Sequence, residues 1–401
     1  MTRAHLPYGR QTIDDDDIAA VTAALRSDYL TTGPRVAEFE AAFAAYTGAT
    51  HAVACGTGTA ALHLAALALD LGPGDKVIAP TLSFLASANG PHYTGAEVIF
   101  ADCDGTGLMT PEIVKQALAS AGDGVKAVIV VHLNGQPVEM EKIRAITKSH
   151  GVALIEDACH AIGSRYRSSD GAWHNIGACD HSDMACFSLH PVKTITMGEG
   201  GLVTTNNAEF DARMRRFRTH GMVREPQLFK NREFGFSSDG KPNPWYYEMP
   251  EVGFNHRASD INCALGLSQL AKMPRFAERR KAITARYDEL FAGFPEWARP
   301  VAMRDDVDPV LHLYVMAIDF EGRCPKTRAQ VMQELSENGV GTQVHYLPVH
   351  LQPYYSGRYG RHELPGAEAY YRQALSIPLF PTMDDADVEH VVKTIGDVIG
   401  I

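Results

Sequence analysis

Lys193 stands in the run Phe187-Ser188-Leu189-His190-Pro191-Val192-Lys193-Thr194-Ile195-Thr196, followed by Gly198-Glu199-Gly200-Gly201. A single lysine among small, hydroxyl and glycine residues, just after a short apolar stretch, is placed to be held still rather than solvated. A positioned, partly desolvated lysine forms a Schiff base with a carbonyl. Burial lowers its pKa, so the free amine can serve as nucleophile and then carry a proton. Taken alone, the same residues fit a phosphate contact or an ordinary loop lysine equally well.

Three further groups could do chemistry. Cys55-Gly56-Thr57-Gly58-Thr59-Ala60-Ala61-Leu62 is a small-residue turn that opens a helix pattern. Free N–H groups at a helix start, with threonine hydroxyls beside them, suit a phosphate; a plain tight turn capped by threonine is the other reading. Leu154-Ile155-Glu156-Asp157 brings acids to the end of an apolar run. There a carboxylate can face a protonated ring nitrogen, or Asp157 can simply cap the next helix. Phe84 follows another apolar run, where it can stack on a flat cofactor or belong to the core. Ser188 ends a strand-like stretch and would turn its hydroxyl into the same crevice. Phosphate cradle, stacking ring, acid and Schiff-base lysine are together what pyridoxal phosphate requires of a protein.

The elements that must position these residues alternate. Residues 76–79, 97–101, 127–131, 153–155, 184–187 and 202–204 read as strands, with helix patterns over 59–69 and 140–150 between some of them. Two helices over 14–27 and 36–46 precede them, separated by Gly33-Pro34. This alternation predicts an α/β fold with a mostly parallel central sheet covered on both faces. Ligands of such sheets collect at the carboxyl ends of the strands. Residues 224–250, rich in Phe, Trp and Tyr, read as a long ordered loop or hairpin. From about residue 300 the pattern becomes α+β, with strands at 313–318 and 341–345, a helix at 327–338 and a last helix from 384. We therefore expect a large cofactor-binding domain over residues 1–260 and a smaller C-terminal domain over 261–401, the N-terminal helix packing on the latter.

With 401 residues, 45% of them hydrophobic and a net charge of −11, the chain suits a globular enzyme better than a nucleic-acid or anionic-membrane binder. The seven cysteines are odd in number and none has C-x-x-C spacing, so a disulfide framework is not expected and a reducing cytoplasm is. No stretch reaches the ~18 consecutive apolar residues of a membrane span. The run Asp14-Asp15-Asp16-Asp17 reads as a solvated helix start, not a metal site.

The chain resembles the sugar aminotransferases of the DegT/DnrJ/EryC1/StrS family, within the fold type I pyridoxal-phosphate enzymes. The likeness rests on the segments quoted above and on His132-Leu133-Asn134-Gly135-Gln136-Pro137, Glu156-Asp157-Ala158-Cys159-His160-Ala161, Gly253-Phe254-Asn255-His256-Arg257 and Val344-His345-Tyr346-Leu347-Pro348-Val349-His350. It implies that Lys193 carries the cofactor as a Schiff base and is the catalytic residue. Asp157 would face the pyridine nitrogen and Phe84 would stack on the ring. Gly58, Thr59 and Ser188 would bind the phosphate. His160 would join the cofactor set, where many members carry Gln. Asn255 matches an Asn that completes the neighbouring subunit's phosphate site, which implies a homodimer with shared active sites. Tyr8, Asn134, His190, Arg257, His345 and His350 are the substrate-binding candidates, Arg257 as an anion partner; metal binding by His345 and His350 lacks an evident third ligand.

Within the family, Phe217-Arg218-Thr219-His220-Gly221-Met222 and Asn243-Pro244-Trp245-Tyr246-Tyr247-Glu248-Met249 point to members that aminate a UDP-4-keto-6-deoxy-N-acetylhexosamine in pseudaminic acid biosynthesis. L-glutamate would be the donor and pyridoxamine 5'-phosphate the intermediate form of the cofactor. Another nucleotide 3- or 4-ketosugar, for example of perosamine type, and a non-catalytic cofactor-binding regulator remain as alternatives. A sugar dehydratase of the same family would have histidine in place of Lys193.

Overall fold

The computed structural model describes residues 5–401. Among these residues thirteen strands form, in chain order: β1 (His51–Cys55), β2 (Lys76–Pro80), β3 (Glu97–Ala101), β4 (Val125–Val131), β5 (Ala153–Asp157), β6 (Arg165–Arg167), β7 (Trp173–Asn175), β8 (Met184–Ser188), β9 (Gly201–Thr205), β10 (Ala298–Pro300), β11 (Val307–Asp308), β12 (Tyr314–Ile318) and β13 (Ala374–Ile377). Seven of them build the central sheet in the order β1-β9-β8-β5-β4-β2-β3. The pairs β2–β3, β2–β4, β4–β5 and β5–β8 are parallel, and only β9 pairs antiparallel, with β8 and β1. Alternate side chains feed two cores. Ile78, Val128 and Leu154 enter one, while Val77, Ala79, Ile129 and Ile155 enter the other. Burial on both faces is why these strands are nearly continuous apolar runs.

A second sheet, β10-β12-β13, carries the C-terminal unit. The change of core falls inside the helix Met273–Phe291, later than residue 260. Met273 and Phe276 pack into the core of the large sheet, whereas Ile283, Tyr287 and Phe291 enter the core of the small one. The helix Asp260–Ala271 lies against the N-terminal helices Asp15–Leu25 and Pro34–Thr47. The N-terminal connection to the small unit is made by Leu6, which belongs to its core and bridges Val340 in parallel. Over 341–345 no strand forms: Gln343 makes a single antiparallel bridge to Ser376, and the regular partner of β12 is instead β13.

The acidic run is an anchor as well as a helix start. Asp14 and Asp17 form a reciprocal capping box, as acids at a helix N-terminus favour. Asp17 is buried and accepts from Ser268 Oγ at 2.6 Å and Gln269 Nε2 at 2.8 Å, and both acids pair with Lys272. Residues 223–250 form an excursion closed by Val223 and Glu248 in an antiparallel bridge, with the short helical turns Pro226–Leu228 and Arg232–Gly235 and a second antiparallel bridge, Phe236 to Pro242, inside it. All seven cysteines are free. No helix among the described residues is long and apolar enough to cross a membrane.

Candidate active site

The cavity that carries the chemistry, about 460 Å³, opens at the carboxyl ends of β5 and β8. Asp157 is the last residue of β5, is buried, and lies at the cavity wall. Its Oδ2 accepts from Ser87 Oγ at 2.6 Å and its Oδ1 from the Cys159 N–H at 3.2 Å. Two fixed donors leave the carboxylate little freedom to turn. Ser188 ends β8 and lines the same cavity.

Thr57, Gly58 and Thr59 bring in the helix Gly58–Ala68 by its N-terminus. Thr57 caps it, its Oγ1 accepting from the Ala60 N–H at 3.0 Å. The N–H groups of Gly58 and Thr59 are then turned outward without an intrahelical acceptor, as the first turn of any helix requires. Position 58 must be glycine for space: a Cβ there would lie 2.7 Å from Ser188 Cβ. Gly201 at the start of β9 is equally tight, its Cβ falling 2.3 Å from the Thr57 carbonyl oxygen. Gly58→Ala should therefore push the helix start away from Ser188. The expected result is a loss of phosphate-bearing ligand affinity of roughly 5- to 150-fold, since overpacking costs roughly 1–3 kcal/mol; titration of the protein with pyridoxal phosphate reads it directly.

Lys193 follows a turn in which its N–H donates to the His190 carbonyl at 2.9 Å. Its Nζ makes no hydrogen bond or ion pair with the described residues. Burial of the amine pulls its pKa below the ordinary lysine range, and the neighbouring Cys159 and Asp157 oppose that shift. A lysine so placed keeps a larger unprotonated fraction than one in water and is correspondingly nucleophilic. Phe84 lies at the mouth, 56% exposed, in the loop after β2. Tyr8 and His190 line the cavity as well, His190 with Nε2 3.9 Å from Glu199 Oε1.

A cluster of imidazoles backs this wall. His160 lines the cavity, and His312 packs on it with ring centroids 4.6 Å apart. His345 shares a hydrogen bond with Ser376 Oγ at 2.7 Å and packs on Tyr8 at 5.2 Å. Burial, and then the Lys193 charge, hold all three below the usual histidine range, His345 at about 3. The ordinary value is near 6.5, so the unfolded chain takes up these protons as pH falls below 6.5, whereas the folded chain resists them to far lower pH, to about 3 for His345. Stability is thus full above pH 6.5 and is lost as pH falls toward 3. Urea midpoints should drop steadily from pH 7 to pH 5, and His345→Gln should flatten that slope by up to about 1.4 kcal/mol per pH unit.

Not every residue singled out in the sequence lines the cavity. Asn134 turns its side chain away, donating Nδ2–H to Tyr370 Oη at 3.0 Å, and meets the site only through its N–H, given to His160 Nδ1. His350 is buried behind β2, sharing a hydrogen bond with Thr81 Oγ1 at 2.6 Å. Asn255 is exposed, bridged to Thr219, and Arg257 lies in a separate cleft with Arg215, Arg218 and Glu40. Within one chain these two stand outside the cavity. Ser87, Cys159 and Glu199, by contrast, belong to the site without having been singled out: Ser87 carries no motif signal, whereas Cys159 and Glu199 stood inside quoted motifs with no role. No group of three or more His, Cys, Asp or Glu among the described residues is placed to hold a metal ion.

The DegT/DnrJ/EryC1/StrS aminotransferase family profile matches residues 11–396. The chain belongs to this family. It is 38% identical over 397 residues to the spore coat polysaccharide biosynthesis protein SpsC of Bacillus subtilis, covering 98% of this chain and 97% of that one. Among solved structures it is similar to Helicobacter pylori PseC, an aminotransferase involved in the biosynthesis of pseudoaminic acid, with a TM-score of 0.85, 26% identity and 99% of both chains covered. It is also similar to Spr1654 of Streptococcus pneumoniae, solved in a PLP-form, with a TM-score of 0.85, 27% identity and 99% of both chains covered. The same protein is known in a PMP-form. The DegT-family chain is thus a pyridoxal-phosphate-dependent aminotransferase. The site residues fit that cofactor: a lysine amine, a fixed carboxylate, and a helix start whose glycine leaves room for a phosphate all face one cavity.

Proposed function

We propose that this aminotransferase uses L-glutamate to aminate a UDP-4-keto-6-deoxy-N-acetylhexosamine, giving a UDP-4-amino-4,6-dideoxy sugar of the pseudaminic acid type, and works as a cytoplasmic homodimer. The observation that carries the reading is the convergence of the Lys193 amine and the Asp157 carboxylate, from two different strand ends, on one cavity. In this reading Gly58 N–H, Thr59 N–H and Ser188 Oγ hold the cofactor phosphate, Phe84 covers the ring and His160 flanks it. Asp157 keeps a proton on the ring nitrogen. Bound there, pyridoxal phosphate supplies a carbonyl for amine exchange and a ring that takes up carbanion charge. Lys193 Nζ removes a proton from the donor's α-carbon and later delivers one to the sugar carbon. Asn255, exposed in one chain, reaches the phosphate of the second copy, and Arg257 offers a charge to an anionic part of the substrate. Tyr8, His190 and Glu199 orient the sugar at the mouth.

The pseudoaminic acid assignment of PseC supports the sugar named. The identity to SpsC favours a second substrate in the same class, a nucleotide ketosugar destined for a polysaccharide. Incubation with L-glutamate and a panel of UDP- and GDP-4-ketosugars, read by product mass and stereochemistry, decides between them. A UDP-4-amino-4,6-dideoxy-N-acetylhexosamine as the best product supports the first reading. Exclusive amination of GDP-sugars, or of none, overturns it.

A further inference from the structure

Tyr346 has no part in the scheme above, yet its ring touches two residues that line the cavity. Phe84 lies 6.1 Å from it, and His160, also at 6.1 Å, stacks on it at 28°. The proton on His160 has a defined place. Nδ1 accepts the Asn134 N–H at 3.3 Å, so the neutral ring carries its hydrogen on Nε2. That hydrogen is donated to Tyr346 Oη at 3.1 Å. Asn134 is itself pinned. Its backbone is left-handed, with φ at 62°, and its carbonyl accepts from the N–H of His312 at 2.8 Å and of Leu313 at 3.2 Å. The Tyr346 hydroxyl has thus been used as an acceptor and retains its own proton, for which no acceptor exists among the described residues. A phenol in a partly buried setting normally finds a partner for that proton.

We propose that Tyr346 donates a hydrogen bond to an anionic oxygen bound in the Lys193 cavity, and that Asn134 and His160 are positioning residues that fix the direction of this donor. The inference rests on the aminotransferase reading for the identity of the oxygen, which belongs either to the cofactor ring or to the carboxylate of the amino donor. A glutamine at position 160 would offer the same pair of groups, one acceptor and one N–H donor, and so could take the Asn134 N–H and pass a hydrogen to Tyr346.

The test compares Tyr346→Phe, His160→Leu and His160→Gln with the unchanged holoenzyme. If the oxygen is the cofactor's, Tyr346→Phe shifts the pH midpoint of the visible absorbance band by about one unit before any donor is added, the effect of one hydrogen bond to a charged group. If it is the donor's, that midpoint holds and KM for L-glutamate rises on the order of tenfold, with KM for the ketosugar changed less than about threefold. His160→Leu reproduces whichever change is seen, and His160→Gln recovers at least about half of it. The ¹⁵N ring resonances of His160 in the unchanged protein, without cofactor or substrate, report hydrogen on Nε2. Hydrogen on Nδ1, or a Tyr346→Phe enzyme with both midpoint and KM within about twofold of the original, overturns the proposal. The absorbance and ¹⁵N measurements need no turnover, so a protein that aminates no ketosugar would refute the substrate reading while still deciding this one.

Discussion

Lys193→Ala should fold, bind pyridoxal phosphate through its phosphate and ring, and lose turnover by at least about 10²–10⁴-fold, the range that a positioned acid–base group supplies. The loss follows from the isolation of the amine. Lys193 Nζ has no hydrogen-bond or ion-pair partner among the described residues, its pKa is pulled down by burial, and it shares the cavity with Asp157 and Cys159. The lining groups offer no second amine, and of the two imidazoles there, His160 is held neutral with both ring nitrogens engaged. Lys193→Arg should be as inactive as the alanine variant, because arginine keeps the charge but stays protonated and cannot act as the nucleophile. Parallel behaviour of the two variants separates a nucleophile from a mere counter-charge. Steady-state rates, with circular dichroism as the folding control, check the pair. An alanine variant within tenfold of the unchanged rate contradicts the assignment.

Asp157→Asn should cost about 10²–10³-fold in kcat, the usual loss when a preorganised charge partner of the reacting system is removed. The substitution is nearly isosteric: the Cys159 N–H keeps an oxygen, and the Ser87 hydroxyl, which had donated to the second oxygen, can turn to accept from the amide N–H that replaces it. Only the charge opposite the cofactor nitrogen is gone. Asp157→Ala should fail in a second way. It leaves two buried donors unpaired, at roughly 1–3 kcal/mol for an unsatisfied group, so its melting temperature should fall as well as its rate. A purely structural role for Asp157 predicts the reverse pattern: stability lost in both variants, and kcat of the asparagine enzyme close to normal.

The site was legible in the sequence wherever a residue's role depends on its place along the chain. Asp157 and Ser188 close apolar runs, and Thr57-Gly58-Thr59 opens a helix, so strand ends and helix starts could be read and then meet at one edge of a parallel sheet. What escaped depends on contacts between distant segments. Ser87 reaches Asp157 across 70 positions, and Tyr346 meets His160 across 186. Neither pairing leaves a local pattern. Asn134 shows the same limit from the other side: its type suggested a polar hand for the substrate, while its left-handed backbone turns the N–H rather than the amide toward the cavity wall.

The fold repeats this division. The buried parallel strands were readable because burial on both faces makes them continuous apolar runs. β1 and β13 were not, since His51–Cys55 and Ala374–Ile377 flank helix patterns that mask them. The shift from one core to the other inside the helix Met273–Phe291 leaves no break in composition, because a single amphipathic helix serves both. Likewise, the acid run at 14–17 looks solvated in sequence, and the groups that give two of its carboxylates partners, Ser268, Gln269, Lys272 and Arg275, lie far along the chain.

The most direct test of the central claim is the first half of the reaction in a single mixing experiment. Addition of L-glutamate alone to the holoenzyme should convert the visible absorbance band of the bound cofactor to the shorter-wavelength band of its amine form, with one equivalent of 2-oxoglutarate released per active site. A band that does not move with L-glutamate, or that moves identically in Lys193→Ala, would contradict a transaminase built around Lys193.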